Sequence, residues 1–276
     1  MDKPKFSVSI CVYEKDSPEW FKTAVDSILN QSIAPNEVVL TVDGPVPPEL
    51  DCIIQNYELL PNFKVVRLSK NVGHGEARRI CLEQCSNNIV ALMDADDISL
   101  YNRFEKQLSI FENNPNISIV GGNIVEFIDI VENVVSKRVV ALSDSEIKND
   151  LKKRCPFNQM SVMFRRDHVL KVGGYKDWYC DEDYYLWIRM YLAGMKFANV
   201  SDTLVYVRIG KDMYNRRGGI KYFISEAKLQ KYMLVNKIIS PDMFLSNCAK
   251  RLIVQVLLPN RIRGWIFRKF ARKSVN

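Results

Sequence analysis

Asp94, Asp96 and Asp97 stand directly after the apolar run 88–93, Asn-Ile-Val-Ala-Leu-Met. Such a run predicts a buried strand, and α/β sheets place their ligand sites at the carboxyl ends of strands. Three like charges this close repel one another unless a cation or hydrogen-bond donors compensate them. Oxygen ligands suit Mg²⁺ or Mn²⁺, which commonly bridge to a diphosphate. The alternative interpretation is a solvated acidic turn that caps the helix near Ser99.

A second acidic cluster, Asp181-Glu182-Asp183, precedes the helical pattern 184–192. Carboxylates at a helix N-terminus are stabilised by the helix dipole, so this cluster could be a structural cap. That interpretation accounts for one or two acids better than for three. A carboxylate that is held ionised there could instead act as a general base toward a hydroxyl group.

Polar residues also follow the strands that are predicted earlier in the chain. Tyr13 and Glu14 follow the run 6–12, and Asp43 follows the run 37–42. Because functional residues of an open parallel sheet cluster at strand ends, these positions are further candidates for a binding site.

The segment 70–78 is a fourth candidate, since it contains Asn71, Gly73, Gly75 and Arg78. Its glycines permit close backbone approach, and Arg78 could reach a phosphate from the first helical turn. The segment lacks both glycine-rich nucleotide-loop patterns, and an ordinary strand-to-helix turn explains it equally well.

Alternating strands and helices must position these residues. Strands are predicted at 6–12, 37–42, 63–68 and 89–93, and helices at 18–29, 47–59, 75–85 and 101–112. This order predicts a parallel sheet that is covered by helices on both faces. Less regular strands follow at 117–127, 134–142, 160–165 and 197–207, with a helix at 184–192 and helical patterns from 220 onward.

Composition excludes several classes of protein. The chain has 276 residues, 47% hydrophobic, with seven cysteines that never form C-x-x-C and two histidines outside zinc-binding patterns. A zinc enzyme is therefore not expected. Scattered cysteines and a polar N-terminus predict a cytoplasmic protein with reduced thiols. No apolar run approaches the length of about 18 residues that a membrane span needs.

Positive charge is concentrated at the C-terminus. Eight lysines and arginines and no acids follow Asp242, which leaves a charge of about −1 on the rest of a chain whose formal charge is +7. This distribution argues against a nucleic-acid binder. The apolar residues Ile262, Trp265, Ile266 and Phe270 alternate with these basic residues. An amphipathic basic helix of this kind suits an anionic membrane surface, or it could pack on the body with its charges solvated.

Five motifs in one order resemble the family 2 glycosyltransferases of the GT-A fold. They are Phe6–Ile10, Asp43-Gly44, Asn71-x-Gly73 with Ala77-Arg78, Asp94-Ala95-Asp96-Asp97, and Glu182-Asp183-Tyr184-x-Leu186-Trp187-x-Arg189. The segments 154–158 and 181–187 look like those of bacterial amylovoran-type exopolysaccharide and O-antigen glycosyltransferases.

This resemblance implies an α/β fold of the GT-A type: a Rossmann-like, mostly parallel central sheet flanked by helices, with a basic helical C-terminal extension. The catalytic domain would span residues 1–215, with a nucleotide-binding half at about 1–115 and an acceptor half at about 116–215. Residues 216–276 would form the membrane-associating segment.

The resemblance also implies roles for individual residues. The uridine pocket would be lined by Tyr13, Glu14 and Asp43, and the nucleotide would be bordered by Asn71, Gly73 and Arg78. A Mn²⁺ or Mg²⁺ ion on the diphosphate would be held by Asp96 and Asp94, or directly by Asp97. Asp183 would be the general base, with Glu182 beside it. Arg208, Arg216 or Arg217 would contact the diphosphate, because many relatives have a histidine near 206–210 and this chain has none.

The implied reaction is inverting transfer of one hexose, glucose or galactose, from a UDP-sugar to an undecaprenyl-diphosphate-linked sugar in surface polysaccharide synthesis. The enzyme would work at the inner face of the bacterial plasma membrane. The Q-x-x-R-W signature of processive synthases is absent, which favours a single transfer. The alternatives are a sugar-nucleotidyltransferase and a nucleotide-sugar-binding module without catalysis.

Overall fold

A nine-stranded sheet forms the centre of the computed structural model, which describes residues 3–210 and 218–259. The strands are β1 Phe6–Val12, β2 Glu37–Val42, β3 Phe63–Arg67, β4 Ile89–Met93, β5 Ile98–Ser99, β6 Ile117–Phe127, β7 Val134–Arg138, β8 Met163–Arg165 and β9 Lys196–Arg208. The helices are α1 Pro18–Leu29, α2 Pro48–Glu58, α3 His74–Gln84, α4 Arg103–Asn113, α5 Asp144–Leu151, α6 Arg166–Lys171, α7 Glu182–Leu192, α8 Ile220–Val235 and α9 Pro241–Arg251.

The sheet has a parallel half and a mixed half. Strands β3, β2, β1 and β4 are neighbours in that order and run parallel, as their alternation with helices predicts. Strand β8 continues the sheet antiparallel to β4, and β6 pairs antiparallel with β8 but parallel with β9. Because the first four strands share one direction, the segments that follow β1, β2 and β4 emerge at the same edge.

Both faces of the sheet are covered, so its central strands are apolar on both sides. In β4, Ala91 and Met93 belong to the core cluster under α1, α2 and α4, whereas Val90 and Leu92 belong to the cluster under α3, α5, α7 and α8. Successive side chains of a strand point to opposite faces. The uninterrupted apolar run before Asp94 therefore reflects burial on both faces.

Local capping residues start two of the helices. The hydroxyl of Ser17 accepts a hydrogen bond from the backbone of Trp20 at the start of α1, and Ser143 and Glu146 form a capping box at α5. Strand β7 ends at Arg138, earlier than the pattern 134–142 predicts. The backbone N–H of Val140 donates instead to the side chain of Asn123, 2.9 Å away.

Two elements, β5 and α6, were not predicted, because two and six residues are too few for a periodic pattern to emerge. The predicted strand 160–165 is also shorter than expected, since a 3₁₀ turn occupies Gln159–Ser161.

The C-terminal helices pack on the body through one side and expose apolar residues on another. Leu229 and Met233 of α8 are fully buried in the second core cluster. Ile220 of α8, Leu245 of α9 and Leu257, in the π-helical turn Leu252–Leu257 that follows α9, are each more than half exposed. No helix among the described residues is both long and apolar enough to cross a membrane. The predicted basic tail from 260 onward, and Arg216 and Arg217, lie outside the described residues.

Candidate active site

A cleft of about 620 Å³ opens at the carboxyl edge of the parallel strands. It brings together nine residues that the sequence singled out: Tyr13, Asp43, Asn71, Gly73, Arg78, Asp94, Asp96, Asp97 and Arg208. Glu14 is exposed and is not part of the lining. Glu182 reaches this group through a hydrogen bond to His74, which lines the cleft.

Arg78, which is buried, and Asp94, which is partly exposed, form an ion pair on the wall of the cleft. Arg78, one turn into α3, is 2% exposed, and its Nη2 donates to Oδ1 of Asp94. Burial opposes the charge on Arg78, but the carboxylate of Asp94 outweighs it and raises the pKa of the guanidinium above its usual value. The Nη1 of Arg78 is buried and has no hydrogen-bond partner in the described structure. This guanidinium therefore retains a donor for an anionic ligand.

Asp97 lies deeper than the other two acids of its cluster. It is 1% exposed, and its Oδ1 accepts a hydrogen bond from the backbone N–H of Arg208 at 2.9 Å. Burial, followed by the charges of Asp96 and Asp94, raises the pKa of Asp97 well above its usual value. Its Oδ2 is buried and finds no hydrogen-bond partner in the described part of the chain.

Arg208 closes the cleft on the side of β9. Its Nε donates to the backbone carbonyl of Asp96 at 3.2 Å. Its guanidinium lies 4.7 Å from the ring centre of Trp20 and 4.6 Å from that of Phe127. These contacts hold the acidic turn against β9, and contact of Arg208 with a diphosphate stays a prediction.

Asp43 organises the loop that follows β3. Its two carboxylate oxygens accept the backbone N–H groups of Val72, at 2.7 Å, and Gly73, at 3.1 Å. Gly44 has φ of +89°, and a Cβ there would lie 2.6 Å from the backbone nitrogen of Asn71. The Asp43-Gly44 pair is therefore required for the loop to pack this closely. Recognition of uracil by Asp43 stays a prediction.

Asp16 lines the cleft as well, although the sequence predicted no individual role for it. Its Oδ2 accepts the backbone N–H of Tyr13 at 2.9 Å. Burial, and then the charges of Asp96 and Asp94, raise the pKa of Asp16 to about 7. Its position in the polar segment 13–16, directly after β1, is the signal in the sequence that points to it.

Arg103 is a second missed residue, and it lies behind the acidic turn. It is fully buried on α4, and its Nη2 donates to the carbonyl of Leu92 at 2.7 Å. Burial lowers its pKa to about 9, while the charges of Asp94 and Asp97 oppose that change. A buried cation thus stabilises the carboxylates from the inner side. No pattern in the sequence shows that Arg103 is buried rather than exposed at the start of its helix.

His74 connects the two acidic clusters. Its Nδ1 lies 2.7 Å from Oε1 of Glu182, and its Nε2 accepts a hydrogen bond from Nε of Arg78 at 2.9 Å. Burial opposes the ionisation of Glu182, but the bond to His74 and the charge of Arg78 lower its pKa below the usual value. The position of His74 between two glycines, one turn before Arg78, was the only hint in the sequence.

Asp183 sits in the first turn of α7 beside Glu182. Its Oδ1 accepts the N–H of Tyr184 at 2.6 Å, and its Oδ2 accepts the thiol of Cys155 at 3.7 Å. Burial, and next the charge of Glu182, raise the pKa of Asp183 to about 6. A carboxylate with this pKa is mostly ionised at neutral pH and is basic enough to accept a proton.

The acidic turn fits a divalent cation that is shared with a ligand. Among residues 3–210 and 218–259, no three His, Cys, Asp or Glu side chains are arranged to hold a metal ion by themselves. Mg²⁺ and similar ions are usually bound by one or two carboxylates together with substrate phosphates. The unpaired Oδ2 of Asp97 and the neighbouring carboxylates of Asp94 and Asp96 supply oxygen donors of that kind.

Comparison with known sequences gives a family and two informative relatives. Residues 7–174 match Glycosyl transferase family 2. An Escherichia coli protein, UDP-Gal:alpha-D-GlcNAc-diphosphoundecaprenol beta-1,3-galactosyltransferase, is 37% identical over 99% of this chain and 98% of its own length. The amylovoran biosynthesis glycosyltransferase AmsE of Erwinia amylovora is 38% identical over 84% of this chain and 86% of its own.

Solved structures share the fold. Residues 1–349 of Staphylococcus aureus TarS in complex with UDP-GlcNAc align with a TM-score of 0.64 and 17% identity, over 90% of this chain and 72% of that one. A mannosyltransferase from Pyrobaculum calidifontis in complex with GDP-Man and Mn²⁺ aligns with a TM-score of 0.61 and 16% identity, over 95% of this chain and 72% of that one. A longer TarS chain, of which this chain spans 43%, aligns with a TM-score of 0.60.

Proposed function

The chain belongs to glycosyl transferase family 2 and has the GT-A fold, and we propose that it moves one hexose from a UDP-sugar to a sugar on a polyprenyl diphosphate. The observation that carries this proposal is that one acidic cluster lines the cleft and a second is linked to it by a hydrogen bond. The Asp94–Asp97 turn lines the cleft, and Glu182 is hydrogen-bonded to His74, which also lines it. Asp183 follows Glu182 in α7 and is not itself part of the lining.

The two clusters suit the two halves of a glycosyl transfer. Asp183 would accept the proton of the acceptor hydroxyl as its oxygen attacks the anomeric carbon. The bond from that carbon to the diphosphate breaks as the new bond forms, so a single displacement inverts the anomeric centre. Glu182, already bonded to His74, would stay ionised beside the base.

The leaving diphosphate would be stabilised at the other cluster. Arg78 would donate its unpaired Nη1, and Asp94, Asp96 and Asp97 would hold a Mn²⁺ or Mg²⁺ ion. When bound, such an ion neutralises the charge that develops on the diphosphate. The uridine would be bordered by Tyr13, Asp43, Asn71 and Gly73, which line the same cleft.

One relative supports the proposed donor and acceptor. The E. coli protein is named for transfer from UDP-Gal to GlcNAc-diphosphoundecaprenol. Its alignment covers 99% of the chain described here and 98% of its own length. This supports a UDP-hexose donor, with galactose favoured over glucose, and a lipid-diphosphate acceptor. The product would be an intermediate of O-antigen or exopolysaccharide synthesis.

We further propose that the enzyme is a peripheral protein on the cytoplasmic face of the plasma membrane. Its acceptor is confined to the bilayer, and the C-terminal segment combines exposed apolar residues with the excess of positive charge. Deleting residues 259–276 should release the folded enzyme from vesicles that contain anionic lipid. A truncated enzyme that still sediments with such vesicles would contradict this assignment.

The test of the proposed function is transfer to a synthetic GlcNAc-diphosphate-lipid from a panel of UDP-sugars. Transfer from a UDP-hexose, with inversion at the anomeric carbon, is the expected result. Asp96→Ala and Asp183→Ala should each abolish transfer, and only Asp96→Ala should weaken binding of UDP with Mn²⁺. Full turnover by Asp183→Ala would remove the base assignment.

A further inference from the structure

His74 links the two acidic clusters of the site by hydrogen bonds. It bonds Glu182 through Nδ1, at 2.7 Å, and Arg78 through Nε2, at 2.9 Å. Arg78 in turn bonds Asp94. The side chain of Glu182 is 11% exposed, whereas that of His74 is 54% exposed and forms part of the cleft surface.

These contacts define the protonation of the imidazole. Arginine has only N–H donors, so Nε2 of His74 must present its lone pair to Nε of Arg78. A carboxylate accepts hydrogen bonds, so the ring proton lies on Nδ1 and is donated to Glu182. These hydrogen bonds fit the Nδ1–H tautomer of His74, in which each ring nitrogen has a different task.

We propose that His74 is a positioning residue that couples the diphosphate side of the cleft to the base side. The inference rests on the proposed function, because it uses the roles given there to Arg78 and Asp183. Through Nε2, His74 holds the guanidinium of Arg78 in the orientation in which its Nη2 donates to Asp94. Through Nδ1–H, it holds Glu182 ionised next to Asp183, whose basicity depends on that neighbouring charge.

The two tasks can be separated with two amide side chains. Asparagine places its amide near the position of Nδ1, so His74→Asn can still donate to Glu182 but leaves Nε of Arg78 without its acceptor. Glutamine places its amide near the position of Nε2, so His74→Gln can still accept from Arg78 but loses the bond to Glu182.

The expected result is a split between kinetic constants. Loss of a hydrogen bond to a charged group changes a rate or binding constant by a factor on the order of ten or more. His74→Asn should raise KM for the UDP-sugar about tenfold with a smaller loss of kcat. His74→Gln should lower kcat about tenfold while KM for the UDP-sugar changes less than about twofold. Arg79→Gln is the matched control, because Arg79 pairs with Glu76 and Glu83 on the outer side of α3 and should leave both constants unchanged.

Wild-type kinetics in both His74 variants, or the same pattern in both, would overturn the coupling. The tautomer is tested without turnover, by nitrogen-15 spectra of the imidazole rings at pH 7.5. The chain has only two histidines, so His168→Gln identifies the signals of His74. A ring protonated at Nε2, or at both nitrogens, would overturn the inference. Absence of hexose transfer by the wild type would instead refute the proposed function.

Discussion

Replacing Asp183 by asparagine should abolish sugar transfer and, at pH 8, make the protein more stable. The carboxyl of Asp183 has its pKa raised from 3.8 to about 6, chiefly because it is buried and also because Glu182 lies beside it. Ionisation of Asp183 therefore costs free energy in the folded state that it does not cost in the unfolded chain. Asparagine has a similar shape and carries no charge, so this cost disappears.

The magnitude follows from the difference between the two pKa values. One pKa unit corresponds to about 1.4 kcal/mol, so a pKa of about 6 instead of 3.8 corresponds to about 3 kcal/mol at most. Between these values the folded protein binds more protons than the unfolded chain, so stability falls as pH rises. The stabilising effect of Asp183→Asn should thus be absent below about pH 4 and complete above about pH 7.

Urea denaturation at pH 4 and pH 8 measures this difference, with the linear dependence on denaturant giving each free energy of unfolding. The same pKa should govern activity. In the wild type, kcat/KM should fall tenfold per pH unit below about pH 6, as Asp183 takes up its proton. Glu182→Gln should move this acid limb to lower pH, because it removes the neighbouring charge that raises the pKa of Asp183.

Two outcomes would refute the reasoning. If Asp183→Asn is equally or less stable at pH 8, ionised Asp183 is not strained by its surroundings. If the acid limb lies near pH 4 and Glu182→Gln leaves it there, Asp183 is either not the base or not perturbed by burial and Glu182.

Three further predictions concern the same site. Gly44→Ala should lower the free energy of unfolding by about 1–3 kcal/mol, because φ of +89° and the close backbone of Asn71 exclude a Cβ; denaturation would show it, and an unchanged midpoint would contradict it. Cys155→Ala should move the acid limb to higher pH, because the thiol lowers the pKa of Asp183; a shift downward in the pH–rate profile would argue otherwise. Chelation by EDTA should abolish transfer and added Mn²⁺ should restore it; full activity in EDTA would remove the metal from the mechanism.

The parallel half of the fold was predictable because its signals are local. Strand β4 begins and ends where the apolar run predicts, and the alternation of strands and helices implied that β1, β2 and β4 end at one edge. That alone was enough to bring Tyr13, Asp43 and Asp94 into one cleft. The mixed half was less predictable, since the pairing of β8 between β4 and β6 depends on contacts between distant segments.

The sequence by itself determined which residue types stand at the strand ends and which acidic clusters exist. Only the tertiary structure decided how they act together. His74 and Glu182 are 108 positions apart, and their bond exists because α3 and α7 pack on the same face of the sheet. Burial, which separates Asp97 and Asp183 from ordinary surface acids, is likewise a property of packing. Contact and desolvation arise between segments that are distant in the chain, so no local pattern can encode them.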